Sequence, residues 1–569
     1  MSEPPIVART GAFLALVLAL AVSSIGVMLD EATLAAWMAH PARTGPSGEL
    51  PATTLAGASL LRIALAAVPW GLLVVVAALA AILRRRRATD HAAPSKAEVS
   101  LWGVPPIVLL VGLVALAIVV RVPLLGQSLW YDEIVPFGGY SLLGPGPTIG
   151  NYYSQANHVF SQLLIWCSAS VIGADEFGLR APAFLASLLS IVAVWGAVRT
   201  MADERTALAS AAVMAFMPLN ALAGSDARGY AITIATSAVA LWAIARARES
   251  GHIAGWLIAA VAIALGVWAH LVAVSFAFGA GLLFAADCVR GHRRADALAG
   301  LVMLVGAALL TFLLLSPILP DLVALRGQFG RHSDGVPSLV GPEMRATLLG
   351  LGGAWHAWAA IPGLLTLALG LVALWRSQRD RPLAWLALLG FLGFPVTILL
   401  VAIGDSWLYA RFLLFALPAI AIVMGAGIVA CANRLGGRGA IATCALLAAL
   451  QVASLWTLPP RQPLREALDR AIAESPRGRP VGVIGLMDNP IAYYGLIRGV
   501  EIIDFGNRGV RLPEHASRLP TTAIVVLYPD SLPDATRERL RSASFAPIAR
   551  LDGWIDWGAG AVEVWKRSN

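Results

Sequence analysis

The chain has 569 residues, 58% of them hydrophobic and only 13% charged, about half the charged share of an ordinary soluble domain, and its mean hydropathy is +0.74. These values exclude a water-soluble globular protein, and apolar runs long enough to cross a bilayer recur along most of the chain. The formal charge of +8 and the pI near 9.7 do not indicate nucleic acid, because the basic residues sit mostly in short loops between apolar segments, as cytoplasmic loops do under the positive-inside rule.

Taken in chain order, apolar stretches of spanning length predict about thirteen transmembrane helices. They lie near 11–29, 57–83, 103–121, 180–199, 206–222, 229–246, 253–269, 271–289, 298–316, 359–375, 382–403, 411–432 and 438–457. The first of them also has the look of a signal peptide, with Ala19-Leu20-Ala21 as a cleavage-like site. Residues 1–87 form an N-terminal hairpin ending in the run Arg84 to Arg87, which fixes that end and the N-terminus in the cytoplasm. A polar cytoplasmic linker, 88–102, leads into a core of 103–457.

Within that core, residues 158–173 are apolar but short and carry Ser161, Gln162, Ser168 and Ser170. If they crossed the membrane, the loops bearing Arg199, Arg246, Arg290, Arg376 and Arg434 would all face outward. An external interfacial helix puts every one of them inside. External loops therefore run over 122–179 and 317–358, and the tail 458–569 is extracytoplasmic. Its higher charge and mixed periodicity predict a small soluble α/β domain, with helices at Leu464 to Ala473 and Asp534 to Ser542 and strands at Val481 to Leu486 and Thr522 to Leu527. Cys167, Cys288, Cys431 and Cys444 lie in apolar segments without metal-ligand spacing, and are expected as buried free thiols.

Ionisable residues at helix ends on one face mark a candidate site, since charge beside hydrocarbon is costly and retained chiefly for function. The external set comprises Asp132, Glu133, His158, Arg180, Asp226, Arg228, Tyr230, His270, Asp405, Tyr409 and Arg411, with Arg326, Arg331, His332 and Arg345 in the second loop. The adjacent carboxylates Asp132 and Glu133 cannot both point one way: one faces a cavity while the other caps a helix or pairs with an arginine. The competing reading is an interfacial Trp-Tyr belt followed by a solvated acidic pair. Arg180, Arg228 and Arg411 each begin a span running inward from the same face. Singly they read as snorkelling anchors, and together as a cationic pocket for a lipid-held phosphate. His270 on its apolar helix end reads equally as a packed core histidine. Asp405 reads as a partner for Arg411, and Trp130 as an interfacial anchor or a platform for a sugar. No D-x-D occurs, so no metal ligands or cofactor motif are visible, and divalent-metal dependence is left open.

The ordered set Arg121-Val-Pro-Leu-Leu-Gly-Gln-Ser-Leu-Trp-Tyr-Asp132-Glu133, His158, Phe177-Gly-Leu-Arg180-Ala-Pro182, Ser225-Asp226-Ala-Arg228-Gly-Tyr230 and Tyr409-Ala-Arg411-Phe resembles the GT-C glycosyltransferases. Within them it is most similar to the branch of protein O-mannosyltransferases and the lipid A aminoarabinose transferase. The resemblance covers roughly 103–430 and implies a polytopic α-helical membrane protein of GT-C fold with a C-terminal α/β domain. It implies transfer of a sugar from a polyprenyl-phosphate donor to a lipid, glycan or protein acceptor on the outer face of the plasma membrane. Asp132 would be the catalytic carboxylate with Glu133 beside it. Arg180, Arg228, Tyr230, Arg411 and Tyr409 would bind the donor phosphate or order the site, and His158 and His270 would line it. The family's Pro-Pro pair before the second interfacial helix is replaced here by Asn157-His158-Val-Phe. Two other classes compete: a flippase or transporter of a polyprenyl-linked glycan, and an O-antigen ligase-like transferase. A transporter places its ionisable groups near the midplane on broken helices, whereas here they cluster at one face.

Overall fold

The computed structural model describes residues 6–87, 103–154, 156–325, 357–377, 381–403, 410–485, 489–513, 519–554 and 560–568. Among the described residues, eight helices are long and apolar enough to cross a bilayer, or up to ten if each of two bent pairs is one span. The bent pairs are Leu14–Met28 with Glu31–Met38, turned by 90°, and Glu204–Phe216 with Pro218–Gly224, turned by 57°. Three more expected spans are shorter apolar helices, Ile253–Ala269, Ala360–Arg376 and Cys444–Trp456. Hydropathy alone does not register the second break, because Pro218 interrupts backbone hydrogen bonding without lowering the apolar content of its window.

The spans divide by burial. Glu176–Met201, Tyr230–Ser250 and Arg411–Gly436 are mostly enclosed by protein, whereas Ala52–Arg86, Pro106–Leu125 and Arg294–Leu315 leave most of their surface outward. The inner three are rich in alanine at their contacts, as in Ala231, Ala235, Ala238, Ala245, Ala419 and Ala421, all buried. Small side chains let membrane helices approach closely where no hydrophobic drive toward water exists. Gly436, at φ 77°, breaks the long helix Leu417–Trp456 into two arms, a conformation an L side chain resists.

Helices Tyr131–Gly139, Pro145–Gly150 and Val159–Val171 occupy the expected first external loop. Beyond the last apolar helix, the tail forms a five-stranded sheet in the order β2-β1-β3-β5-β4, with β1 Val481–Gly485, β2 Ile502–Asn507, β3 Ala523–Leu527, β4 Phe545–Leu551 and β5 Val562–Arg567. The first three strands are parallel and β5 joins β3 and β4 antiparallel. Helices Leu464–Glu474, Ile491–Arg498 and Asp534–Ser542 accompany it. The tail shares a hydrophobic core with the first external loop: Leu129, Ile134, Phe137, Ile165 and Leu179 pack with Leu464, Leu468, Ile491 and Tyr494. The four cysteines are free, but Cys167 is exposed and Cys288, Cys431 and Cys444 are only half-buried, which corrects their expected burial.

Candidate active site

The two carboxylates sit in the first turn of helix Tyr131–Gly139. Consecutive helical residues are about 100° apart, so the helix sends them in different directions. Glu133 turns inward and is 1% exposed. Its Oε1 accepts from Arg180 Nε at 2.8 Å and the Ala227 amide at 2.8 Å, and its Oε2 from Arg180 Nη2 at 2.6 Å and the Trp130 amide at 3.2 Å. The Trp130 bond closes the helix N-terminus from its third position. Arg180 spends its remaining donors on carbonyls of the preceding turn, Leu125 at 3.0 Å, Gln127 at 2.6 Å and Ser128 at 3.0 Å.

Asp132 faces the other way, into a cavity of about 680 Å³. Its Oδ2 accepts from Arg228 Nη1 at 2.5 Å, and its side chain keeps 24% exposure. Arg228 Nη2 donates to His158 Nε2 at 3.1 Å, and the other ring nitrogen of His158 lies 3.2 Å from the Ala269 carbonyl. A nitrogen facing a carbonyl must carry the proton, so His158 is the Nδ1–H tautomer with Nε2 free to accept. Burial, then the neighbouring His270 and Arg228, holds His158 well below the usual imidazole range and keeps it neutral. Tyr230 and His270 lie against it, with ring centroids 5.6 and 4.6 Å away, and Phe412 closes on His270 at 5.6 Å. Arg411 lines the same cavity, as do the apolar Val272, Leu322, Val323, Leu325 and Val401.

Of the residues singled out in the sequence, the structure thus brings Asp132, His158, Arg228, Tyr230, His270 and Arg411 around one cavity. Glu133 and Arg180 are not among its lining: of the two carboxylates it is Glu133 that caps the helix and pairs with an arginine, and Arg180 is engaged by Glu133 and by backbone carbonyls. Trp130 is no open platform either. It is 5% exposed, its indole donates to Asp226 Oδ1 at 3.2 Å, and the guanidinium groups of Arg228 and Arg461 lie 5.7 and 5.6 Å from its ring. Tyr409, Asp405, Arg326, Arg331, His332 and Arg345 lie outside the described residues. Among the described residues no group of three or more His, Cys, Asp or Glu is placed to hold a metal ion.

Several pairings escape sequence reasoning because the partners are remote. Asp226, beside Arg228 in the chain, is neutralised by Arg461 of the tail, whose Nη1 reaches Oδ2 at 2.6 Å. Arg461 sits between Pro460 and Pro463, where the prolines stiffen the exit from the last apolar helix. That rigidity is the local signal available. Gly229 lets the turn before helix Tyr230–Ser250 press on Ala269: a Cβ there would lie 2.2 Å from the Ala269 carbonyl oxygen and 3.1 Å from His158 Nδ1. Tyr152, another cavity residue, is held through its amide by Asp321 at 2.8 Å. Asp321 is in turn gripped bidentately by Arg43 of the N-terminal hairpin, at 2.7 and 2.9 Å.

Comparison with known proteins agrees with this architecture. Residues 159–320 match the family model described as dolichyl-phosphate-mannose-protein mannosyltransferase. No curated protein sequence matches significantly. Among solved structures, ArnT from Cupriavidus metallidurans in the apo state is 14% identical, with 81% of this chain and 98% of that chain covered and a TM-score of 0.50. The same protein bound to undecaprenyl phosphate is 14% identical over 80% and 97%, with a TM-score of 0.51. The Archaeoglobus fulgidus oligosaccharyltransferase tethered with an acceptor peptide is 15% identical over 74% and 68%, with a TM-score of 0.48. Apolar helices of spanning length, a small sheet domain in the tail and the ArnT likeness over four-fifths of the chain make this a multi-pass membrane protein of the GT-C fold.

Proposed function

We propose that the protein transfers a sugar from a polyprenyl-phosphate donor to a hydroxyl of an envelope acceptor on the outer face of the membrane, with inversion. The observation that carries this reading is a carboxylate, Asp132, paired with Arg228 in a cavity lined by two guanidinium groups and by apolar side chains. The apolar lining suits a lipid chain, and Arg228 and Arg411 suit its phosphate. ArnT binds undecaprenyl phosphate on the same fold.

In this mechanism the donor phosphate competes with Asp132 for Arg228. As Arg228 turns to the phosphate, Asp132 is released as the general base. The acceptor oxygen attacks the anomeric carbon on the face opposite the phosphate and the sugar–phosphate C–O bond breaks. Its electron pair stays on the leaving phosphate beside the arginines, and the acceptor proton passes to Asp132. His158, neutral and fixed by Ala269, positions Arg228 without adding a positive charge that would drain its interaction with phosphate.

The test is sugar transfer from undecaprenyl-phosphate donors in reconstituted vesicles with crude envelope acceptor, comparing wild type with Asp132→Asn at equal folded yield. Asp132→Asn is expected to lower transfer by about 10² to 10⁴ while retaining donor binding. Unchanged transfer would remove Asp132 from the chemistry, and absence of transfer from any donor by wild type would favour a lipid-carrying role.

A further inference from the structure

The external loop that leads to His158 also carries Tyr152, whose side chain lines the main cavity with Asp132 and Arg228. Its backbone is held firmly, and the N-terminal hairpin does the holding. Helix Pro145–Gly150 lies directly on helix Glu31–Met38: a Cβ on Gly146 would stand 2.1 Å from the Trp37 carbonyl oxygen, and one on Gly150 2.4 Å from Met38 Cβ. The next residue, Asn151, donates to the Met38 carbonyl at 2.7 Å and accepts from Arg43 Nη1 at 2.9 Å. The Tyr152 amide then donates to Asp321 Oδ2 at 2.8 Å, and Arg43 grips that carboxylate from the other side. Asn157 closes the loop on itself, donating to the carbonyls of Thr148 at 3.1 Å and Asn151 at 2.7 Å. A segment ordered in advance adds little entropic cost to binding.

The Tyr152 hydroxyl, in contrast, is unused. The ring packs with Val159 and Ile318, but among the described residues the hydroxyl makes no hydrogen bond, and it is not one of the unpartnered polar atoms sealed inside the protein. Burial pushes it up to about 12 against the pull of Arg228, with Tyr230 alongside, so the phenol keeps its proton. Arg228 and Tyr230 both line the main cavity, and neither lines the smaller pocket that Tyr152 also borders. The hydroxyl therefore belongs to the main cavity. A neutral O–H near a guanidinium, with no acceptor of its own, suits an anion shared between them. Arg228 already gives Nη2 to His158, so a phosphate that displaces Asp132 from Nη1 has oxygens left for a second donor.

We propose that Tyr152 is a phosphate-binding residue of this cavity: its hydroxyl donates to an oxygen of the lipid-linked phosphate, and the N-terminal hairpin positions it through Arg43 and Asp321. The inference rests on the glycosyl-transfer reading above and deepens it. As the sugar–phosphate C–O bond breaks, the phosphate gains charge, so a donor at its oxygens bonds more strongly in the transition state than in the bound donor. The phenol keeps its proton throughout.

The experiment measures equilibrium binding of undecaprenyl phosphate and of undecaprenol to the full chain in phosphatidylcholine vesicles, with transfer from undecaprenyl-phosphate sugars scored on the same vesicles. Tyr152→Phe removes only the hydroxyl and should melt with wild type, since that atom holds nothing in the protein. It is expected to bind undecaprenyl phosphate about tenfold more weakly and undecaprenol unchanged. The proposal is overturned if Tyr152→Phe binds undecaprenyl phosphate as tightly as wild type, if undecaprenol weakens equally, or if the loss comes with a lower melting temperature. Asp321→Ala, which releases the Tyr152 amide, should weaken undecaprenyl phosphate binding in the wild-type background and by less than about twofold once Tyr152 is replaced by Phe. Equal losses in both backgrounds would refute the hairpin's part. Hydroxyl-dependent phosphate binding without transfer by wild type from any donor would sustain Tyr152 as a phosphate ligand and refute the transferase reading, so the two fail separately.

Discussion

Replacing Glu133 by Gln separates a structural carboxylate from a chemical one. The Glu133 and Arg180 side chains are 0% and 2% exposed, so solvent screens nothing. Each carboxylate oxygen receives two N–H donors, Arg180 Nε and the Ala227 amide on one, Arg180 Nη2 and the Trp130 amide on the other. Whichever way a glutamine amide is turned, its NH₂ meets two donors, and Arg180 keeps a buried charge without a counterion. Breaking one side of a buried pair costs about 3–5 kcal/mol. The damage falls where three segments meet, at 124–133, 176–180 and 226–228. Glu133→Gln is expected to lower the thermal unfolding temperature of the detergent-solubilised protein by several degrees and to cut folded yield. Asp132→Asn, at a quarter-exposed site on a cavity, with one ion-pair partner, should cost less stability than Glu133→Gln. A Glu133→Gln protein that melts with wild type yet has lost transfer would refute this reasoning and return Glu133 to the chemistry.

Arg461→Met should strand the buried Asp226 carboxylate and lower both the melting temperature and donor affinity. Adding Asp226→Asn should recover part of both, and a double variant no better than the single would show that charge pairing is not the point. Gly229→Ala should force the turn off Ala269 and His158 and lower transfer at least tenfold through misplacement of Arg228, a result that wild-type transfer in this variant would contradict. Because His158 lies below its ordinary value of 6.5 in the folded state, the unfolded chain binds the extra proton, so this residue's contribution to stability is lost as pH falls below about 6.5. His158→Gln, which can still accept from Arg228, should flatten that acid loss in pH-dependent melting, and an unchanged slope would place its origin elsewhere.

Much of the fold is legible in hydropathy, and the site's ingredients are legible as charges at one end of the bundle. What the sequence cannot supply is direction and distance. Asp132 and Glu133 differ by one helical step, and only the tertiary environment decides that Asp132 meets the cavity while Glu133 meets Arg180. Arg180 and Arg228 look alike as first charges of a span, but Arg180 is enclosed by the carbonyls of 124–128 and Arg228 lies on the cavity wall. In the tail, β4 hides because Pro547 sits in it at an irregular register, which edge strands tolerate and propensity reads as a break. Asp226 gives no hint that its counterion lies in the tail, at Arg461.

The N-terminal hairpin's grip on Asp321 sets an order of assembly during synthesis. Arg43 waits for a partner 278 residues downstream, and the same hairpin touches the first external loop through His40 to the Gly139 carbonyl at 2.6 Å. The Leu129 amide, two residues before the carboxylate helix, bonds to the Tyr494 hydroxyl at 2.7 Å across 365 residues. A nascent chain emerging residue by residue therefore inserts its early helices long before the cavity walls can lock. Maturation of the pocket is a late, chain-wide event, and a truncation at either end is felt at Asp132 even though neither end contains it.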